Sequence, residues 1–130
     1  MQTERSEALT QPELGQIIRN TLHHDDGLRY DLYCYVLMPT HFHALLHPLA
    51  REDGSIPITE IMKTIKGVSA RRINQATGCS GSLWLDQSFT RIIRCSDEFR
   101  KTFHYIRSNP VEAGLTGRPE DWQWWWERTD

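Results

Sequence analysis

Hydrophobic residues recur at helical spacing in three stretches of the chain, which predicts three helices. These stretches cover residues 12–22, 58–77 and 97–108. In each of them, apolar side chains three or four positions apart form a stripe that one face of a helix would bury. The third helix is expected to end at about residue 108, because the residue that precedes Pro110 disfavours the helical conformation.

Three shorter stretches are rich in aromatic and β-branched residues, which predicts strands over residues 32–38, 41–47 and 89–94. Pro39 and Thr40 separate the first two strands and indicate a tight turn between them. Helices combined with turn-linked strands indicate the α+β class, with an antiparallel sheet and flanking helices.

The length of 130 residues fits one domain that spans residues 1–130. Within it, the polar residues 1–10 are expected to be a disordered or truncated start, and residues 117–130 a tryptophan-rich tail. The indoles of this tail are expected to pin it to the domain, with stacking on nucleic-acid bases as the alternative. They belong to Trp122, Trp124, Trp125 and Trp126.

Composition excludes several classes of protein. No run approaches the roughly 18 apolar residues of a membrane span, and residues 1–6 lack the apolar segment of a signal peptide. The three cysteines are odd in number and widely spaced, which favours reduced thiols in a cytoplasmic protein over a disulfide framework or a zinc site.

Charge is unevenly distributed, although the net charge is only −2. Residues 1–59 carry −4, residues 60–109 carry +5 and residues 110–130 carry −3. Attraction to a phosphate backbone would therefore have to act in the middle part. An ordinary solvated helix face explains the same pattern, so charge alone does not decide between the two.

His41 and His43 are the residues with the clearest chemical signal. Side chains alternate along a strand, so these two imidazoles point to the same side, as half of a metal site or of a phosphate-handling site. His47 shares that side, but it lies roughly 13 Å further along an extended strand, too far to share one ion with His43.

Tyr105 is the second candidate. It lies away from the predicted apolar stripe of the third helix, and Asn109 follows four residues later on the same helical face. A phenol in water has a pKa of about 10, so it attacks a phosphate slowly unless that phosphate is made more electrophilic. Spacing alone does not place Tyr105 near the histidines.

Both elements resemble one known family. Residues 36–46, with His41 and His43, resemble the HUH motif of the IS200-like (Y1) transposases, especially the branch of REP-associated tyrosine transposases. Residues 105–115 are similar to the helix of that family that carries its nucleophilic tyrosine. Lys66-Gly67 and residues 81–84 match in order and spacing, and the resemblance covers residues 10–126.

The resemblance implies a ferredoxin-like fold and a nuclease that cuts and joins single-stranded DNA beside hairpins. In such enzymes a tyrosine hydroxyl attacks a backbone phosphate, which forms a 5′-phosphotyrosine link and a free 3′-OH. Carried over, Tyr105 is the nucleophile, and His41, His43 and Asn109 are ligands of Mg²⁺ or Mn²⁺. The resemblance also implies a cytoplasmic, nucleoid-associated protein, as a homodimer or a monomer.

DNA contacts are expected from the basic middle part of the chain. Lys66 and Arg94 are the leading candidates because they lie in matching segments. The others are Lys63, Arg71, Arg72, Arg91, Arg100, Lys101 and Arg107.

Relatives usually begin with a strand that joins the sheet beside the histidine strand. This chain is expected to lack that strand, which would leave an unpaired sheet edge next to the site.

Two other functions remain open from the residues. A histidine-triad nucleotide hydrolase needs a third alternating histidine where this chain has Leu45, which disfavours it. A domesticated or inactive protein that binds hairpin DNA without cutting it is favoured by the missing first strand. It is disfavoured by the presence of His41, His43 and Tyr105.

Overall fold

Helices pack on both faces of a three-stranded antiparallel sheet in the computed structural model, which describes residues 9–78 and 95–129. Its elements are α1 (Pro12–His24), β1 (Tyr30–Leu37), β2 (Phe42–Pro48), β3 (Ala50–Arg51), β4 (Gly54–Ser55), α2 (Ile58–Thr77), α3 (Ser96–Glu112), a 3-10 helix (Pro119–Asp121) and β5 (Trp125–Glu127). The predicted α+β class, three helices and first two strands are confirmed. The strand predicted over 89–94 lies outside the described residues.

The sheet has the order β2-β1-β5, with β1 in the centre. Val36 of β1 pairs with His43 of β2, and the hairpin closes with a hydrogen bond of 2.8 Å from the backbone N–H of Met38 to the carbonyl oxygen of His41. Strands β3 and β4 form a separate small hairpin between β2 and α2, in a segment for which the sequence pattern predicted no helix or strand.

A β-bulge in β1 determines which of its side chains face the helices on each side of the sheet. The register against β2 shifts between Leu32 and Cys34, so Tyr33 is an additional residue on β1. The alternation of faces restarts after it. As a result, one face carries Tyr30, Leu32, Tyr35 and Leu37, and the other carries Cys34 and Val36.

Each face has its own hydrophobic core. The Tyr35 face packs on α1 and α2 through side chains such as Ile18 and Ile65. The Val36 face packs on α3 through Ile106, with Phe99 and Phe103 beside it. Strand β2 also lies between the two cores. Successive side chains of this strand point alternately toward one core and toward the other.

Strand β5 corrects one expectation. Residues 125–127 pair with β1 at Tyr35↔Trp126 and its neighbours, so the end of the chain is part of the sheet and not only a pinned tail. The expected lack of a strand beside the histidine strand stays a prediction. Strand β5 covers β1 on the side away from β2, and the other edge of β2 has no strand partner among the described residues, which leave out residues 1–8. The guanidinium group of Arg128 secures β5, since it donates hydrogen bonds to the Leu32 carbonyl and to both carboxylate oxygens of Asp26.

Helix α3 is longer than expected, because it continues through Pro110 to Glu112. Proline has no N–H and therefore removes one hydrogen bond of the helix, but here Pro110 is buried against the protein. The helix ends in a Schellman motif: Leu115 N–H bonds to the Pro110 carbonyl oxygen at 2.9 Å, and Gly114 adopts a φ of 75°. Asn109 therefore lies inside the helix and not at its end.

Trp124 packs directly on Gly15 of α1. A Cβ atom added to Gly15 would lie 2.6–2.8 Å from three carbon atoms of the indole, which is nearly fully buried. Gly15→Ala should therefore destabilise the fold by about 1–3 kcal/mol through overpacking, despite the better helix propensity of alanine. Urea unfolding measures this change.

Gly67 provides the matched control, because it also lies inside a helix and its added Cβ would meet no atom of the described residues within 4 Å. Gly67→Ala should stabilise the protein by about 0.5–1 kcal/mol. An equal effect of both substitutions would contradict the close packing of Gly15 and Trp124.

A polar network joins α1 to β1. The Tyr35 hydroxyl lies 3.0 Å from Nε of Arg19 and 3.0 Å from Nε2 of His23. Arg19 can only donate, so the Tyr35 hydroxyl hydrogen is available to His23, which accepts it only as a neutral imidazole. Burial lowers the pKa of His23, while the Asp26 carboxylate raises it less strongly and the guanidinium groups of Arg19 and Arg128 lower it.

Acidification from about pH 7.5 to about pH 5.5 should therefore lower the free energy of unfolding. The unfolded chain takes up a proton at the ordinary histidine pKa of about 6.5, whereas folded His23 takes it up at lower pH, so the unfolded state binds more protons. Urea unfolding should show a weaker pH dependence in His23→Gln than in the wild type. An NMR titration that gives His23 a pKa above 6.5 would contradict this assignment.

Candidate active site

The two histidines lie side by side on the face of the sheet that α3 covers. Their ring centroids are 5.0 Å apart. Leu45 follows on the same face and is buried in the core against Ile106, while Phe42 and Ala44 point to the α1 and α2 side. The alternation predicted for this strand is therefore confirmed.

Tyr105 comes from α3 to the same place. Its ring centroid lies 5.9 Å from that of His43, and 55% of its surface is exposed. The neighbouring residue Ile106 is buried against the sheet and thereby holds this helix in position. The phenol is thus near the imidazoles and accessible from solvent, a juxtaposition that spacing along the chain did not predict.

Both imidazoles favour the neutral form. Burial lowers the pKa of His41. Burial also lowers the pKa of His43, and the charge of a protonated His41 would lower it further. A neutral imidazole keeps one nitrogen lone pair free, as a metal ligand must.

Thr40 contacts the first histidine, which the sequence did not indicate. Its hydroxyl oxygen lies 3.0 Å from Nδ1 of His41. When Nδ1 carries the hydrogen and donates it to Thr40, Nε2 is the nitrogen that can bind a metal. The only sign in the sequence was that the two residues are adjacent in the turn.

The donor set fits a weakly held divalent cation. A cation about 2.1 Å from one nitrogen of each ring is compatible with ring centroids 5.0 Å apart. Among the described residues, however, no three His, Cys, Asp or Glu side chains form a group that could hold a metal. Such an ion would need further oxygen ligands. Asn109 is half-buried one helical turn after Tyr105, and its part in metal binding stays a prediction.

Those predicted DNA-binding residues that the structure describes are spread over both faces of the sheet. Lys63 and Lys66 lie on α2, which packs on the opposite face of the sheet. Arg107 lies on α3 with Tyr105, but its guanidinium group is 3.4 Å from the Glu120 carboxylate. Arg91 and Arg94 lie outside the described residues.

No helix within the described ranges is both long and apolar enough to cross a membrane.

Comparison with known proteins agrees with this architecture. The structure of a REP-associated tyrosine transposase bound to a REP hairpin superposes with a TM-score of 0.71 at 23% sequence identity, over 90% of this chain and 66% of the other. This chain thus spans slightly less than two thirds of the length of that protein. A search of curated proteins found no match. A family model described as transposase IS200 like matches residues 3–109. The chain therefore belongs to the IS200-like transposase family.

Proposed function

We propose that this protein cuts and rejoins single-stranded DNA beside hairpins by transesterification, with Tyr105 as the nucleophile. The observation that carries the proposal is the position of an exposed phenol 5.9 Å, between ring centroids, from the second of two paired imidazoles. Exposure matters because the phosphate of a polymer has to reach the hydroxyl from outside the fold.

The proposed step exchanges one phosphodiester bond for another. The Tyr105 oxygen bonds to the phosphorus, and the bond from phosphorus to the 3′ oxygen breaks. The proton lost by the phenol is balanced by the one that the 3′ oxygen gains. The products are a 5′-phosphotyrosine and a free 3′-OH, and attack by a 3′-OH on the phosphotyrosine reverses the step and joins DNA.

His41 and His43 would hold Mg²⁺ or Mn²⁺ through neutral nitrogens, with the Asn109 amide oxygen as a third ligand. When bound, such a cation polarises the phosphate and offsets the charge that develops in the transition state. None of these ligands carries a negative charge, so affinity should be low until the DNA contributes phosphate oxygens. The rigid helix positions Tyr105 and Asn109 together, one turn apart.

Hairpin DNA is the proposed partner. Support comes from the family, and the related protein of known structure is described as bound to a REP hairpin. Within the basic middle part, Lys63, Lys66 and Arg107 remain proposed phosphate contacts. Arg107 would have to exchange Glu120 for DNA.

The competing proposal is a hairpin-binding protein without nuclease activity. The lack of a strand beside the histidine strand favours it, because β5 pairs with β1 and the other edge of β2 has no strand partner among the described residues. Transesterification predicts a covalent protein–DNA adduct that survives SDS when the chain is incubated with Mn²⁺ and single-stranded oligonucleotides that contain hairpins.

Two results would decide against transesterification. Salt-sensitive binding without any adduct would favour the non-cutting protein. Hydrolysis of free nucleotides that persists in Tyr105→Phe would favour the histidine-based hydrolase.

A further inference from the structure

A cationic cleft lies on the other side of the molecule, between the end of α1 and the middle of α2. It has a volume of about 220 Å³ and is lined by three arginines: Arg29, Arg71 and Arg72. Thr64 and Asp25 lie in the same lining.

This cleft is separate from the candidate active site. Helices α1 and α2 pack on the sheet face that carries Tyr35 and Leu37, whereas Tyr105 and His43 lie on the face covered by α3. A single phosphate group therefore cannot occupy both places, and any ligand of the cleft has to be a second group.

The charges in the cleft are only partly balanced. Arg29 donates a hydrogen bond of 3.1 Å to Oγ1 of Thr64, and its guanidinium group lies within 4 Å of the carboxylates of Asp25 and Glu60. Arg71 and Arg72 are exposed and form no hydrogen bond or ion pair with any residue in the described ranges. Within the part of the chain that the structure describes, the charge of Arg29 is thus compensated, and those of Arg71 and Arg72 are not.

We propose that this cleft binds a backbone phosphate of the DNA, at a distance from the phosphate that is cut. The inference rests on the proposed function, since it needs DNA as the partner. A guanidinium group forms paired hydrogen bonds with phosphate oxygens. Two exposed arginines would hold a free phosphate only weakly, whereas a DNA strand already bound at the active site presents its other phosphates at high effective concentration.

The test is the double variant Arg71→Gln/Arg72→Gln. Its affinity for a fluorescent hairpin oligonucleotide with single-stranded flanks is measured by anisotropy, in EDTA and over a series of salt concentrations. We expect the Kd to rise roughly 10-fold or more, and the slope of log K against log salt to become shallower by about one for each arginine removed. Arg72→Glu should weaken binding further than Arg72→Gln.

Arg118→Gln is the matched control. Arg118 is an exposed arginine whose guanidinium group is already bonded to the Asp121 carboxylate at 3.0 and 3.2 Å. Its loss should leave both the Kd and the salt slope close to those of the wild type. Arg71 and Arg72 have no partner among the described residues, so the double variant should also keep the wild-type thermal unfolding midpoint.

Two results would overturn the inference. If Arg118→Gln weakens binding as much per charge as the double variant, the effect is one of overall charge and not of the cleft. If inorganic phosphate shifts the arginine side-chain NMR signals of the cleft while the double variant binds the hairpin normally, the cleft is a site for free phosphate and not for DNA.

Failure of the proposed function would give a different pattern. If the wild type forms no adduct, yet its hairpin binding depends on Arg71 and Arg72, the chemistry proposed for Tyr105 is wrong and the cleft assignment stands. If adducts form normally and the double variant binds like the wild type, the cleft assignment alone is wrong.

Discussion

Tyr105→Phe should reduce formation of the covalent protein–DNA adduct by at least about 10³-fold, because it removes the nucleophilic oxygen. The ring remains and can keep its contact with His43. The Tyr105 hydroxyl has no hydrogen-bond partner within the described ranges, so stability and hairpin affinity should stay close to those of the wild type. Adducts are counted as shifted bands on SDS gels with a labelled oligonucleotide.

Tyr33→Phe is the control for this experiment. Tyr33 also lies on the α3 side of the sheet, where it packs edge-on against Phe99 with ring centroids 5.4 Å apart. The same loss of one oxygen at this position should leave adduct formation unchanged. Adducts at wild-type levels in Tyr105→Phe would mean that another group attacks the DNA.

His43→Ala should have the second-largest effect, a loss of roughly 10²-fold or more in both Mn²⁺ affinity and adduct formation. Its imidazole lies between His41 and Tyr105, with ring centroids 5.0 and 5.9 Å away. His43 is one of only three proposed protein ligands. Its removal should therefore lower metal affinity by at least the 10- to 100-fold that is typical when a residue that hydrogen-bonds to a metal ligand is replaced. Electron paramagnetic resonance can measure Mn²⁺ binding with hairpin DNA in the Tyr105→Phe background, where the DNA stays uncut.

His47→Ala is the matched variant. His47 belongs to the same strand as His43 but is exposed near its other end, where it pairs with Asp31 of β1. Its removal should change neither Mn²⁺ affinity nor adduct formation. If His43→Ala binds Mn²⁺ as His47→Ala does, the histidine pair does not hold the metal.

The elements that the sequence predicted well depend on local patterns. Helix α2 spans Ile58–Thr77 as expected, and Gly78, with a φ of 71°, ends it. The alternation of His41, Phe42 and His43 follows from strand geometry alone. Such features require no knowledge of distant residues, and therefore they could be deduced from neighbouring positions.

Apart from the local hairpin of β3 and β4, the errors concern mainly contacts between distant parts of the chain. Trp125 and Trp126 form a strand because they pair with the edge of β1 that β2 leaves open. Helix α3 runs past Asn109 because burial of Pro110 and the Gly114 motif compensate for the missing hydrogen bond. The sequence pattern also did not indicate the bulge at Tyr33, after which the side chains of β1 divide between the two hydrophobic cores.

The amino-acid sequence by itself determined the class of fold, the family, and two candidate groups for the chemistry, a histidine pair and a tyrosine. The tertiary structure alone decided that Tyr105 lies beside His43, because more than sixty residues separate them and only the packing of α3 on the sheet brings them together. It also decided that the described basic residues of the middle part are divided between the two faces of the sheet. The physical reason is that the spacing of hydrophobic residues indicates which face of a helix or strand is buried, but not which other element covers that face.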